Sequence, residues 1–167
     1  MATLDDIRHP MFRLKRGVRA IACIAMCSMA LISCATIDFP TPQGFAKFTK
    51  DQRDYRAISA DGVRIKARRI KNEPYGDLRM WQDAIGHHFE SLGYKEKESG
   101  VLAATEGYSG RFGEYRAVFN GREHRYIAAL FVGKGDIVII EAAGEEAVFA
   151  KRRDAVMTSI RSFNPGK

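Results

Sequence analysis

The side chains that could do chemistry in this 167-residue chain are few, and their spacing argues against most of it. His87, His88 and Glu90 stand close together and His124 follows, but zinc needs three or four ligands converging on one point. At about 100° per helical residue His87 falls opposite Leu78, His88 borders the apolar stripe and Glu90 projects to a third side. The order HHFE also lacks the i, i+4 histidine pair that puts two imidazoles on one helix face. No metal site is expected, with His88 partly buried and His87 solvated. Ser109 has Gly107 and Gly110 near it, yet neither the G-x-S-x-G spacing nor the strand-to-helix turn that exposes a nucleophile. It reads as part of a loop before a strand at Phe112. Gly133-Lys134-Gly135 lacks a following helix to cradle a phosphate and reads as a hairpin turn. Cys23, Cys27 and Cys34 all lie in the first 34 residues, so the body of the chain has neither a disulfide framework nor a thiol for catalysis. No cofactor and no enzymatic activity are expected. The competing reading is an enzyme whose site is assembled from scattered groups such as His88, Glu106, Tyr108 and Arg111.

The remaining candidate is basic. Arg64, Lys66 and Arg68 alternate with Val63, Ile65 and Ala67, Arg69 and Lys71 follow, and Arg53 and Arg56 precede them. Seven cations on two adjacent strands suit lipid phosphates, an acidic glycan or an acidic protein. Charges of this kind also keep an edge hairpin from pairing with other chains. Arg64, Lys66, Arg68 and Arg69 are the candidate binding residues. Trp81 and Tyr75 suggest an aromatic contact, but Trp81 falls on the core stripe of its helix.

Residues 11–34 carry a cationic start at Arg13, Lys15, Arg16 and Arg19, then an apolar run from Ala20 to Ile32. That is signal-peptide architecture, shorter than the ~20 residues a permanent span needs. Met11 directly precedes the cationic region and is a plausible true start. The run ends in Leu31-Ile32-Ser33-Cys34, which resembles the bacterial lipobox. The resemblance implies acylation of Cys34, cleavage before it and retention at the membrane through several acyl chains, each buried methylene contributing about 0.8 kcal/mol. Ala35 follows, where Asp would favour inner-membrane retention, so the expected location is the outer membrane, facing the periplasm. Three segments are expected: a leader over 1–33, a lipidated tether over 34–44 containing Pro40 and Pro42, and one domain over 45–167. The net charge is +7. The leader holds five cations and two anions, leaving a mild +4, and with an envelope location no nucleic-acid partner is expected.

The body reads as α+β. Asp61-Gly62 suits a tight hairpin turn between strands at 53–60 and 63–71, with a bulge where Arg69 breaks the alternation. A helix capped by Asp77 runs to about Leu92 with a stripe of Leu78, Trp81, Ile85, Phe89 and Leu92. Strands follow at 94–98, 101–105, 112–119, 125–132 and 137–142, the last three joined by the turn residues Asn120-Gly121 and Gly133 to Asp136. Residues 126–132 and 137–140 are apolar without alternation, the mark of strands covered on both faces. A final helix, 145–161, lines up Phe149, Val156 and Ile160, with Phe163 beyond. Two amphipathic helices around such strands give an α/β/α sandwich with a mainly antiparallel sheet.

This order of elements resembles the PsbP-like fold, which includes periplasmic lipoproteins of the DcrB type. The resemblance rests on Asp61-Gly62-Val63, on Trp81 to Ala84 and Gly93-Tyr94, on Asp136 to Ala142 and on Ile160-Arg161-Ser162-Phe163. Proteins of this fold serve unrelated roles, mostly as adaptors and assembly or stability factors, so the resemblance supplies neither a function nor catalytic residues; the expected role is binding, as an accessory to an envelope assembly.

Overall fold

The computed structural model describes residues 37–48, 54–105 and 107–166. The leader, Cys34, Arg53 and Glu106 lie outside these residues. The elements in chain order are β1 (Phe45–Lys47), β2 (Asp54–Ser59), β3 (Arg64–Lys71), α1 (Leu78–Ser91), β4 (Lys95–Thr105), β5 (Tyr108–Phe119), β6 (Arg122–Val132), β7 (Asp136–Glu145) and α2 (Glu146–Ser162). All seven strands form one antiparallel sheet in the order β1-β2-β3-β7-β6-β5-β4.

Successive strand side chains alternate between faces, and β6 and β7 are apolar on both. On one face Ile127, Ala129 and Phe131 of β6 and Val138, Ile140 and Ala142 of β7 join Tyr55, Ala57, Ile65 and Ala67 beneath Phe149, Val156, Met157 and Ile160 of α2. On the other, Leu130, Val132, Ile137 and Ile139 pack under Leu78, Trp81 and Ile85 of α1, and Phe89 meets Tyr115 and Ala128. The α/β/α layering therefore follows from the two-sided apolar strands. Asp77 caps α1, its carboxylate accepting from Met80 N at 2.8 Å. The β2–β3 turn has Gly62 at φ +93°, which a glycine adopts without a Cβ clash.

The structure corrects four details. The segments 94–98 and 101–105 form a single strand, because the Phe112 ring lies where a Cβ on Gly100 would stand, 2.7 Å away; that glycine admits the ring and does not break the strand. No bulge occurs at Arg68 and Arg69, since β3 pairs with β7 without a register shift from Arg64 to Lys71. The alternation simply puts Arg69 on the α2 side and Ile70 on the α1 side. The α1 stripe stops at Phe89, with Leu92 58% exposed. Finally, the folded body begins before residue 45: Ile37 and Phe39 are 5% and 3% exposed. Phe39 stacks 5.0 Å from Tyr55 and 5.7 Å from Phe163, and the Tyr55 hydroxyl donates to Thr41 Oγ1 at 2.9 Å. The proline-containing stretch is a strap packed on the core, extended as prolines favour, and not a spacer.

A buried ion cluster ties α2 to the sheet. Glu114 of β5, fully buried, receives Arg153 Nε at 2.8 Å, with Arg125 Nη1 at 3.0 Å and Lys97 Nζ at 3.8 Å from its carboxylate. Arg125 also clasps Glu146 at the start of α2, and Arg153 reaches Glu98 at 2.7 Å. Removing Glu114 takes one of its two carboxylate partners from the buried Arg125 guanidinium, 6% exposed, so Glu114→Ala is expected to cost about 3 kcal/mol in urea unfolding. The hydrogen bonds from Arg125 hold the Glu146 carboxyl below its ordinary pKa of 4.5. A depressed carboxylate contributes stability above its unfolded pKa that is lost as pH falls through the folded one. The stability gap between wild type and Glu146→Gln should therefore stay constant above pH 5 and narrow below 4.5, measured by denaturation across pH.

Candidate functional site

α1 lies over β4, β5 and β6, and the same face of the sheet continues past it across β7, β3 and β2. The strand alternation puts Arg56 and Ile58 of β2, Arg64, Lys66 and Arg68 of β3, Glu141 and Ala143 of β7 and Tyr126 of β6 on that face. All of these except Arg68 line, with Phe48 and Ile65, an open concavity of about 650 Å³. Phe48 is half exposed, so the floor combines an accessible ring and aliphatic surface with a cationic rim. Lys66 Nζ is 4.0 Å from Asp54 and Arg68 Nε 3.7 Å from Glu141. Arg64 is exposed and has no anionic partner among the described residues. The Tyr126 hydroxyl donates to Glu141 Oε1 at 2.5 Å. Burial, and then the Glu141 carboxylate, push its pKa far above the ordinary tyrosine range, so it acts as a fixed hydrogen-bond donor and not as a base.

The four candidate residues are thus divided. Arg64, Lys66 and Arg68 share the open face. Arg69 points to the opposite one, where it donates to Tyr108 Oη at 3.0 Å, to Pro165 O at 2.7 Å and to the Asp136 carboxylate. Burial alone would lower its pKa, but Asp136 and Tyr108 outweigh that and raise it. Arg69 is a latch that fastens the C-terminal segment to the sheet. The edge-protection reading is corrected as well: β3 pairs with β2 on one side and β7 on the other, so it is an interior strand. Its charges stand on a sheet face, where they do not guard an unpaired backbone.

Of the scattered polar set, the described members His88, Tyr108 and Arg111 do not come together. Tyr108 donates to Asp136 Oδ1 on the α2 side, Arg111 has the opposite parity on β5, and Glu106 lies outside the described residues. His88 is exposed on α1, contrary to the partly buried position expected for it; its ring touches only the edge of the Phe89 cluster, 6.0 Å away. His87 is exposed too, 3.8 Å from Glu90, and His124 is far off on β6. Among the described residues no three His, Cys, Asp or Glu side chains form a metal-binding group. Ser109 belongs to β5 and not to a loop. Trp81 is a core residue whose Nε1 donates to Asn72 Oδ1 at 2.8 Å. Asn72 was missed in the sequence: its amide also donates to Gly76 O and Gly133 O and accepts from Gly76 N, fixing the turn into α1. No local signal marks it, because its partners come from three elements.

Solved structures share this architecture. The fold is PsbP-like. Cyanobacterial PsbP (CyanoP) from Synechocystis matches with a TM-score of 0.56 and 14% identity over 84% of this chain and 98% of its own. LpqN, involved in cell envelope biogenesis of Mycobacterium tuberculosis, gives 0.60 and 17% over 74% and 79%. A Pseudomonas aeruginosa protein of unknown function gives 0.58 and 10% over 72% and 96%. No family model and no curated protein matches the sequence. Identities this low establish a common fold and leave function to the site.

The division of the basic residues has a measurable consequence. The triple variant Arg64→Gln, Lys66→Gln, Arg68→Gln alters surface charges and should change unfolding free energy by no more than about 1 kcal/mol. Arg69→Ala removes a half-buried latch and should cost about 2–3 kcal/mol. Chemical denaturation of the two variants side by side checks this.

Proposed function

We propose that this chain is a lipid-anchored protein of the bacterial cell envelope that works by binding, without a catalytic step, through the open basic face of its sheet. The observation that carries the reading is the concavity that Arg64 and Lys66 line beside Phe48, Ile58 and Tyr126, with Arg68 on the same face of the sheet. A cationic rim over apolar and aromatic floor suits an acidic partner that also offers apolar surface. Leu31-Ile32-Ser33-Cys34 supports the location, with Cys34 as lipid carrier and Ala35 favouring the outer membrane, facing the periplasm. Among the described residues no helix is long and apolar enough to cross a membrane. The envelope role of LpqN, which has the same fold, agrees with it.

The test is crosslinking in intact envelopes with Cys34 retained, comparing wild type with the Arg64, Lys66, Arg68 to Gln triple variant. Three lost contacts of roughly 1 kcal/mol each should weaken association by about two orders of magnitude, most clearly at low salt. Equal crosslinking by the two proteins at low ionic strength would refute binding through this face. Cys34→Ala should accumulate as unprocessed precursor in the inner membrane, and normal processing of that variant would refute the anchor.

A further inference from the structure

The ends of the strands divide into two groups. One end of the sheet carries Phe45, Ser59, Arg64, Lys95, Phe119, Arg122 and Glu145, as the register shows. The other carries Lys71, Val132 and Asp136, with the Gly133 to Asp136 turn and the loop held by Asn72. Phe39 sits toward this second end: its ring touches Phe163, which in turn lies 5.4 Å from Phe131, one residue before the end of β6. From Phe39 the strap runs back to Phe45 at the first end. The chain therefore joins the folded body at the second end, where Ile37 is already buried.

Ile37 is three residues after Cys34. Three residues span at most about 10 Å, too short to let the body turn over. We propose that the second end of the sheet rests on the lipid bilayer, with the β2–β3 and β5–β6 turns pointing away from it. This rests on the proposed acylation of Cys34. The exposed groups at that end suit an interface with anionic lipid: Lys71 is 80% exposed, Tyr75 71%, and Lys134 and Arg161 are exposed as well. Cations near such a surface are drawn to the anionic headgroups, and tyrosine favours the boundary between apolar and aqueous phases. The open basic face then turns sideways along the membrane. Its occupant is accordingly an acidic protein beside the lipoprotein, and not the bilayer beneath it.

Once Cys34 is acylated and the leader removed, an introduced cysteine is the only thiol. Lys134→Cys and Glu123→Cys place one at opposite ends of β6, about 30 Å apart at the strand rise of 3.4 Å per residue. Each variant, purified in its lipidated form, is labelled with a fluorophore and reconstituted into phosphatidylethanolamine and phosphatidylglycerol vesicles containing a nitroxide-headgroup lipid. Quenching at position 134 should exceed that at 123 several-fold. Equal or stronger quenching at 123 in protein shown by mass spectrometry to carry lipid on Cys34 overturns the orientation and leaves the anchor standing. A mature protein without lipid on Cys34 overturns both.

Discussion

An α-helix is about 10 Å across and covers about two strands spaced 4.8 Å apart, whereas this sheet has seven strands and two faces. The central pair, β6 and β7, is apolar on both faces and must be covered on both. α2 and α1 do this, from opposite sides. What covers the outlying strands then decides the rest of the molecule. On the α2 side the strap with Ile37 and Phe39, together with Phe163, extends the cover over β2 and β3. On the α1 side the helix reaches only the Ile70 end of β3, and the rest of that half of the face is where Arg64, Lys66 and Arg68 stand. A polar face is what an uncovered region requires, so the alternation in β3 matches its position in the sheet.

The same asymmetry explains where the molecule is held rigid. The α2 side carries the strap, the Arg69 latch to Pro165 and the ion cluster around Glu114. Each fastens a segment distant in sequence to the sheet. A buried cluster of this kind specifies an arrangement more than it stabilises one, and here it fixes α2 against β5 and β6. The α1 side relies on apolar packing and on Asn72, leaving its concavity shaped by a fixed backbone and by long side chains at the rim.

A shared fold with identities of 10–17% constrains the scaffold and leaves the chemistry to particular side chains. The cationic rim and exposed ring provide charge and contact area, while among the described residues Tyr108 and Arg111 lie on opposite faces of the sheet and Tyr108 is engaged with Asp136 and Arg69.

Much of this was legible in the sequence because it depends on neighbours. The alternation of Arg64, Lys66 and Arg68 with apolar residues, the Asp61-Gly62 turn, the Asp77 cap and the two-sided apolar runs in β6 and β7 are local patterns, and they led to the strands, helices and sandwich. Strand order is not local. That the last strand inserts beside β3 made the basic strand an interior one, and no short-range signal carries that, since it depends on pairing between segments separated by the whole meander. Nor did the sequence distinguish Arg69 from its neighbours, although one step along a strand reverses the face and only tertiary packing says which face is open. The residues before Phe45 looked like a spacer for the same reason: Ile37 and Phe39 gain a place in the core only where Tyr55 and Phe163 are brought to meet them. Local periodicity thus determined the elements and their buried sides, and the assembly of distant segments decided which charges stand on the open face of the sheet.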